Sequence, residues 1–547
     1  MPLQNERKDI VLVFSGEDYP EPDTARRLKE RGHECETGGP SYLVHRYEED
    51  PHFLRNLNGR FHGLIADRAR GTTVLFNDRY GMHRLYYHES TEAFYFAGEA
   101  KAILQVRPEV RSADPRGLGE FIACGCVLEN RTLFRGIRAL PPGSAWSFRG
   151  GALEQKASYF EPSEWEGQEP LDAENYYREL RDVFTANLPR YFNGKEGLGV
   201  SLTGGLDTRI IMAWRKAPPG SLPCYTFGSM FHENQDVRLA RRVAEICGQP
   251  YQVITVGDDF LSKFAHYAER SIYLSDACVD LSRSPDLYAN EKAREIAPVR
   301  IVGTYGSEML LHAVMFKPGE PAPGLFDTEL LKQVHAARET YDAIRRANPV
   351  TFVAFRQSPW HHYGILMLEQ TQVAVRSPYL DNDLVKTVYK APGSIAENEA
   401  ARLRLIQEGN PALGRLRTDR GVGGRNTLAA GFARAYFEFT FKAEYAYDYG
   451  MPQRVAQIDH LFASLHLERL WLGRHKVFHF RVWYRDQLAN YVRETLLDSR
   501  SLARPYLKPD AVRAIVESHL KGNRNYTTEI HRLLSLELLH RLFVDAR

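Results

Sequence analysis

Gly197-Leu-Gly-Val-Ser-Leu-Thr-Gly-Gly-Leu-Asp-Thr208 decides the fold. An apolar run that ends at Leu202 reads as a buried strand. Gly204 and Gly205 permit a tight turn with close backbone approach. From Thr208 to Lys216 the pattern is that of an amphipathic helix. A strand, a glycine turn and a helix N-terminus together make an oxyanion site. Backbone N–H groups and the positive helix end face the anion, and the hydroxyls of Ser201, Thr203 and Thr208 add donors. Asp207 beside the turn is placed to hold Mg²⁺ on a phosphate. The loop is not a Walker A loop, since no Gly-Lys-Ser/Thr follows the glycines. Further along, residues 222–228 read as a second strand, 236–248 as a helix, 251–256 as a third strand, 286–296 as a helix and 300–303 as a fourth strand. Strands alternating with helices predict a parallel sheet covered on both faces. Ligands bind such sheets at the carboxyl ends of the strands, where 201–207, Phe227-Gly228 and 303–308 would converge.

The rest of the chain divides by texture. Residues 8–160 hold short strand patterns at 9–14, 61–66, 72–76, 85–87, 94–97, 144–148 and 155–159. Helical patterns intervene at 23–31, 42–48, 99–106 and 115–123. This predicts an α+β domain over 1–160. Glu161-Pro-Ser-Glu-Trp-Glu-Gly-Gln-Glu-Pro170 is polar, bounded by proline, and reads as a linker. The second unit, 171–547, is α/β to about residue 305 and helical beyond, ending in an amphipathic helix from about 528 that carries Ile530, Leu533, Leu534, Leu538 and Leu542.

A net charge of +2, from 71 basic and 69 acidic residues, makes no case for a nucleic-acid or anionic-membrane partner. The apolar run 10–14 is too short for a signal-peptide core, and no stretch reaches the length of a membrane span. Six cysteines in 547 residues are sparse. Cys124 and Cys126, one residue apart, suit neither a zinc knuckle nor a redox pair, so reduced thiols in a cytoplasmic protein are expected. His361 and His362 lack further ligands at a metal spacing and are assigned a structural role.

The 201–208 loop resembles the pyrophosphate loop of the ATP pyrophosphatase superfamily, Ser-Gly-Gly-Leu/Val-Asp-Ser, with Thr208 in the final hydroxyl position. Other segments extend the likeness. Phe14-Ser-Gly-Glu-Asp-Tyr19 resembles Asn-Gly-Glu-Ile-Tyr-Asn. Asn77-Asp-Arg-Tyr-Gly-Met-His-Arg-Leu-Tyr-Tyr87 resembles Arg-Asp-Arg-x-Gly-x-x-Pro-Leu-Tyr-Tyr, and Gly98-Glu-Ala-Lys-Ala-Ile-Leu104 resembles Ser-Glu-x-Lys-Ala-Leu. Arg376-Ser-Pro-Tyr-Leu-Asp-Asn-Asp-Leu-Val385 resembles Arg-x-Pro-Phe-Leu-Asp-x-x-Leu-Val. With these motifs in this order, the chain resembles the glutamine-hydrolysing asparagine synthetase B family. The resemblance implies an N-terminal Ntn-hydrolase-like domain of the class II glutamine amidotransferase type. An ATP pyrophosphatase domain of the adenine nucleotide alpha hydrolase-like kind, with a helical C-terminal region, would follow. It also implies ATP and Mg²⁺ as cofactors, with ATP on Ser201, Leu202, Thr203, Gly204, Gly205, Asp207, Thr208, Phe227, Gly228 and Gly303. Asp207 would hold the metal, and Asp207 and Glu308 would be catalytic. The implied reaction activates a carboxylate, aspartate by default, as an acyl-adenylate for attack by ammonia or another amine. Small-molecule substrates and a homodimer go with it.

The departures are as informative. Glutaminase-active members carry a cysteine directly after Met1; here Pro2 stands there and the first cysteine is Cys35. Ser15 replaces the oxyanion asparagine. Either the first domain is a relic that supports the fold or the chain is truncated upstream. The acidic loop Gly-Glu-Gly-Ser/Ala-Asp-Glu reads Gly303-Thr-Tyr-Gly-Ser-Glu308, with Ser307 in place of a metal-binding Asp and Thr304 in place of a Glu. The family's Arg-x-Lys segment is matched by Leu416-Arg-Thr-Asp-Arg-Gly-Val-Gly-Gly424, which offers Arg417 and Arg420 but no lysine. The competing class is a non-catalytic paralogue that binds nucleotide or a protein partner.

Overall fold

The computed structural model describes residues 2–35, 39–393, 398–418, 420–423, 428–461 and 465–546. Asp419 and Gly424 of the Arg417 segment lie outside the described residues. In the first unit, β1 (Leu3–Gln4), β2 (Ile10–Asp18), β3 (Gly59–Asp67) and β4 (Thr72–Asn77) form an antiparallel sheet with two later strands. A small sheet of β5 (Tyr86–Glu89), β6 (Phe94–Ala97) and β7 (Arg138–Ala139) lies beside it. The larger sheet closes with β8 (Ser144–Arg149) and β9 (Ala152–Ser158), in the order β1-β2-β3-β4-β8-β9. On β3 the alternation buries Phe61 and Ile65, the period expected of a half-covered strand.

The second unit is built on β10 (Leu198–Ser201), β11 (Cys224–Ser229), β12 (Tyr251–Val256), β13 (Val299–Ile301) and β14 (Ala374–Arg376). All are parallel, in the order β12-β11-β10-β13-β14. Val200, Cys224 and Ile301 are fully buried, as a sheet covered on both faces requires. The chain leaves β10 toward β11 on one side and later returns to β13 on the other. The sheet order therefore reverses at β10, and a crevice opens at its carboxyl end.

Beyond residue 305 helices dominate, as the pattern predicts, and β14 completes the sheet. That strand is three residues long and ends on Arg376, the first residue of the Arg376 motif, so neither length nor alternation marks it. The 161–170 stretch is not a free linker. It carries the short helix Ser163–Glu166, and Trp165 is buried against Phe160 and Phe355 with the Arg79 guanidinium 4.8 Å from its ring.

The two units dock through buried polar contacts. Arg376 donates to Glu17 at 2.6 and 2.9 Å. Asn58 donates to Asp381 at 2.8 Å, and Asp381 also accepts from Asn187 and Tyr191. Lys101 pairs with buried Asp276, whose carboxylate accepts the Ala100 amide. No helix among the described residues is long and apolar enough to cross a membrane.

Candidate active site at the carboxyl end of the parallel sheet

Ser201 ends β10, and the helix Asp207–Arg215 begins six residues later. Neither Gly204 nor Gly205 takes a left-handed conformation, contrary to a turn that needs positive φ. Their value is the missing side chain: a Cβ on Gly205 would meet only Thr203 Oγ1, at 3.5 Å, so the face above it is open. The loop's polar groups are loosely tied. The Thr203 amide donates to Thr208 Oγ1 and the Gly205 amide to Thr203 Oγ1, each at 3.4 Å, at the long limit of such bonds. The Gly204 amide is held more firmly, by Asp236 Oδ1 at 2.8 Å. An anion arriving here would compete with a carboxylate the protein already supplies.

A cavity of about 390 Å³ opens at this point. Ser201, Thr203, Asp207, Thr208, Gly303 and Glu308 all line it, and Thr304 and Ser307 join them. Leu202, Gly204, Gly205, Phe227 and Gly228 do not. Leu202 is the clearest miss. Its side chain is in the core, its amide donates to Tyr225 O and its carbonyl accepts from Thr226, so it retains no donor for a phosphate. Phe227 instead lies under the guanidinium of Arg300, 5.0 Å from its ring, and Arg300 donates to Ser201 Oγ at 3.1 Å and Glu369 at 2.8 Å. A Cβ on Gly228 would meet Val253 at 2.7 Å, so that glycine serves strand packing.

The second loop is pressed onto the first. A Cβ on Gly303 would sit 2.7 Å from the Thr208 amide nitrogen, and one on Gly306 would sit 2.4 Å from the Asp207 carboxyl carbon. The Arg376 motif clamps both: Ser377 Oγ donates to Thr304 O at 2.6 Å and Tyr379 Oη to Asp207 O at 2.7 Å. Tyr305 adopts the left-handed conformation, φ +74°, ahead of the helix Gly306–Leu311. It stands where the acidic-loop pattern has glycine, the residue that takes this conformation without cost.

The Asp207 carboxylate is the centre of the arrangement. Its Oδ1 is ion-paired with Arg402 of the helix Ala400–Gly409, and its Oδ2 accepts from Ser307 Oγ at 2.9 Å. Burial raises the Asp207 carboxyl above its ordinary range, and the Arg402 guanidinium and the Ser307 hydroxyl oppose that rise. Arg402 is itself only 4% exposed and also pairs with Glu399. These residues do not fit a divalent cation. Both Asp207 oxygens are engaged, the partner carboxylate of the pattern is Ser307, and a guanidinium already supplies the positive charge. The expectation that Asp207 holds Mg²⁺ gives way to an internal ion pair.

Glu308, 5% exposed, meets His362 Nε2 at 2.9 Å. His362 comes from the π-helical segment Val353–His362, and its ring packs edge-on against Tyr305. Its companion His361 stacks on Phe316, and burial pulls its pKa down to about 3. The structural role assigned to the pair therefore holds for His361, whereas His362 lies in the cavity wall. His362, Arg300 and Arg402 are the site residues missed in the sequence. Each reaches the loops through tertiary packing and follows no local motif.

In the first unit, Ser15 Oγ lies 3.0 Å from His83 Nε2. Cys35 is buried, and burial raises its thiol further, which suits packing and not nucleophilic attack. All six cysteines are free thiols.

Comparison with known proteins bears on both units. A glutamine amidotransferase domain family matches residues 1–160. The asparagine synthase family matches residues 462–541, in the C-terminal helical region. Asparagine synthetase 3 of Bacillus subtilis is 27% identical over 232 residues, 41% of this chain and 37% of the relative. Over these stretches the chain is similar to asparagine synthetases. Asparagine synthetase 1 of Bacillus subtilis is 21% identical over 56% of this chain and 48% of its own length, and the enzyme of Asparagus officinalis is 23% identical over 64% and 55%. The chain thus spans between about a third and just over half of the length of these asparagine synthetases, all of the glutamine-hydrolysing type.

If the loop receives a diphosphate, Gly205→Val should weaken ATP binding at least about tenfold, equivalent to about 1.4 kcal/mol. The fold has room for the new side chain, so the melting temperature should hold. Calorimetric titration with ATP reads the effect, and an unchanged Kd removes Gly205 from the site.

Proposed function

We propose that the chain is an ATP-dependent carbon–nitrogen ligase, one that activates a small carboxylic acid as its acyl-adenylate. One observation carries this reading: a helix N-terminus, the hydroxyls of Ser201, Thr203 and Thr208 and the Arg300 guanidinium line one cavity at the reversal point of a parallel sheet. The diphosphate of ATP lies over the 203–208 loop. A carboxylate oxygen forms a bond to the α-phosphorus as the bond to the β-phosphate oxygen breaks, and pyrophosphate leaves. An amine then attacks the acyl carbon, AMP leaves, and the amine gives up a proton. The Glu308–His362 pair is placed to accept it. The protein's contribution is positioning and fixed charge, with no step assigned to a metal. Aspartate and ammonia are the first substrates to try.

Pyrophosphate and AMP release from ATP, with a panel of carboxylates and ammonia, tests the reading. Carboxylate-dependent release of both supports it, and no release with any acid removes it. A second reading has its own support. The Asp207–Arg402 pair, Ser307 in place of a carboxylate and the Asp236 carboxylate on the Gly204 amide suit a paralogue that binds nucleotide without turnover. ATP binding with no pyrophosphate release is its signature. In either case, no glutamate should form when this 547-residue chain is given glutamine, because Cys35 is buried and Ser15 faces His83. Clear glutaminase turnover would contradict that.

A further inference from the structure

We infer that the amidotransferase-like unit holds a zinc ion between Glu6, His33, His45 and Glu48. Each of these residues presents one ligand atom, and the four atoms lie within 4.8 Å of one another. They come from three separate segments. Glu6 is in the turn between β1 and β2, and His33 follows the helix Thr24–Glu30. His45 and Glu48 share one face of the helix Tyr42–Glu49, three residues apart.

The polar atoms that point away from the centre are already used, and this fixes those that point in. His45 Nε2 lies 3.1 Å from the carbonyl oxygen of Glu34, which can only accept, so the ring hydrogen sits on Nε2. The Nδ1 lone pair of neutral His45 then faces Glu48 Oε2 at 2.9 Å. Two acceptors at that distance repel unless a cation joins them. The other oxygen of Glu48 accepts from Asn5 Nδ2 at 2.7 Å and lies 3.4 Å from Arg7, which orients the carboxylate. Glu6 Oε1 accepts the Glu34 amide at 2.8 Å and leaves Oε2 at 3.8 Å from His45 Nδ1. His33 Nδ1 lies 3.6 Å from the same Glu48 Oε2, and its Nε2 lies 3.4 Å from Glu49.

A proton shared by His45 Nδ1 and Glu48 Oε2 is the competing way to join these two atoms. It leaves His33 Nδ1 and Glu6 Oε2, which face the same centre, at 3.6 and 3.8 Å with nothing to join them. A single divalent ion avoids this. Tetrahedral zinc with bonds of about 2.0–2.1 Å places its ligand atoms about 3.3 Å from one another. The contacts of 2.9, 3.6 and 3.8 Å bracket that spacing. Two imidazoles with two carboxylates select zinc over magnesium or calcium, which take oxygen ligands. Outer partners on the His45, His33, Glu48 and Glu6 side chains are the arrangement that metal-binding residues need to hold their orientation. His45 is 2% exposed, so water competes poorly there. The ion would staple the β1–β2 turn and the 31–35 segment to the helix that carries His45.

The test uses the full chain. After equilibration with zinc and gel filtration, elemental analysis should find about one zinc per chain, as a folded site with stoichiometric affinity requires. Cobalt substituted for zinc should give the visible absorption of a tetrahedral ion, and a chelator should lower the melting temperature. His33→Gln with Glu48→Gln should lose both the zinc and the cobalt spectrum. A wild-type chain that retains no zinc, or a variant with unchanged metal content, overturns the assignment. Should the variant not fold, the wild-type zinc content and cobalt spectrum decide alone.

Discussion

Arg402→Met should cost about 3–5 kcal/mol of folding stability, the range for breaking one partner out of a buried ion pair. Methionine retains much of the apolar stem, so the loss reports charge more than volume. Asp207, its side chain about 20% exposed on the cavity wall, would be left with Ser307 as its remaining partner. Burial already raises its carboxyl, and removal of the guanidinium takes away the main opposing influence. In the variant the folded state therefore binds a proton at Asp207 more tightly than the unfolded chain does, whose carboxyl titrates near about 3.9. Stability then falls as pH rises through the window above that value, and is recovered toward acid pH as Asp207 takes up the proton. Denaturant unfolding of variant and wild type at several pH values measures this. A deficit that does not change with pH would mean that Arg402 acts through packing alone. Adding Asp207→Asn should return part of the loss, since the two side chains interact directly and their effects cannot add.

Glu308→Gln carries the second large effect, about 10²-fold in pyrophosphate release, the usual consequence of losing one electrostatic contact in the transition state. The change retains size and hydrogen-bonding capacity and removes the charge that faces His362 at 2.9 Å. A simpler role is available. Glu308 lies in the first turn of the helix Gly306–Leu311, where a negative charge meets the positive helix end and contributes about 0.3–1 kcal/mol. No side chain caps that helix at Tyr305, so the simpler role is the charge at the helix end together with the contact to His362. Rate and melting temperature separate the two. Lower turnover at unchanged stability places Glu308 in the chemistry. A lower melting temperature at unchanged turnover confines it to the helix end.

The parallel sheet was legible because its strands are apolar runs closed by glycine, and β12 falls on residues 251–256, as the pattern predicts. The antiparallel strands of the first unit were legible for the same local reason. β1, β7 and β14 were not, at two or three residues each, since they gain strand geometry only from the neighbours they pair with. The site divides in the same way. Loop residues 201–208 and Glu308 stand out because a phosphate loop needs hydroxyls, glycines and a helix start in consecutive order. Arg402 lies 195 residues from Asp207. Ser307 in place of an aspartate signals that the charge at Asp207 must be balanced differently, but among 71 basic residues nothing local selects the one that does it. His362 was hidden similarly, in a π-helical segment whose register only the packed structure defines.

In the proposed reaction the loop at 201–208 receives the diphosphate of ATP beside a built-in guanidinium, that of Arg402, where the family pattern has a metal. Equilibrium binding of ATP, measured once in chelator and once in excess Mg²⁺, tests this claim most directly. With Arg402 already paired to Asp207, metal-free ATP should bind at least as tightly as its magnesium complex, and Gly205→Val should weaken both. Binding that appears only when Mg²⁺ is present would contradict the claim, because Asp207 would then have to leave Arg402 to hold the metal.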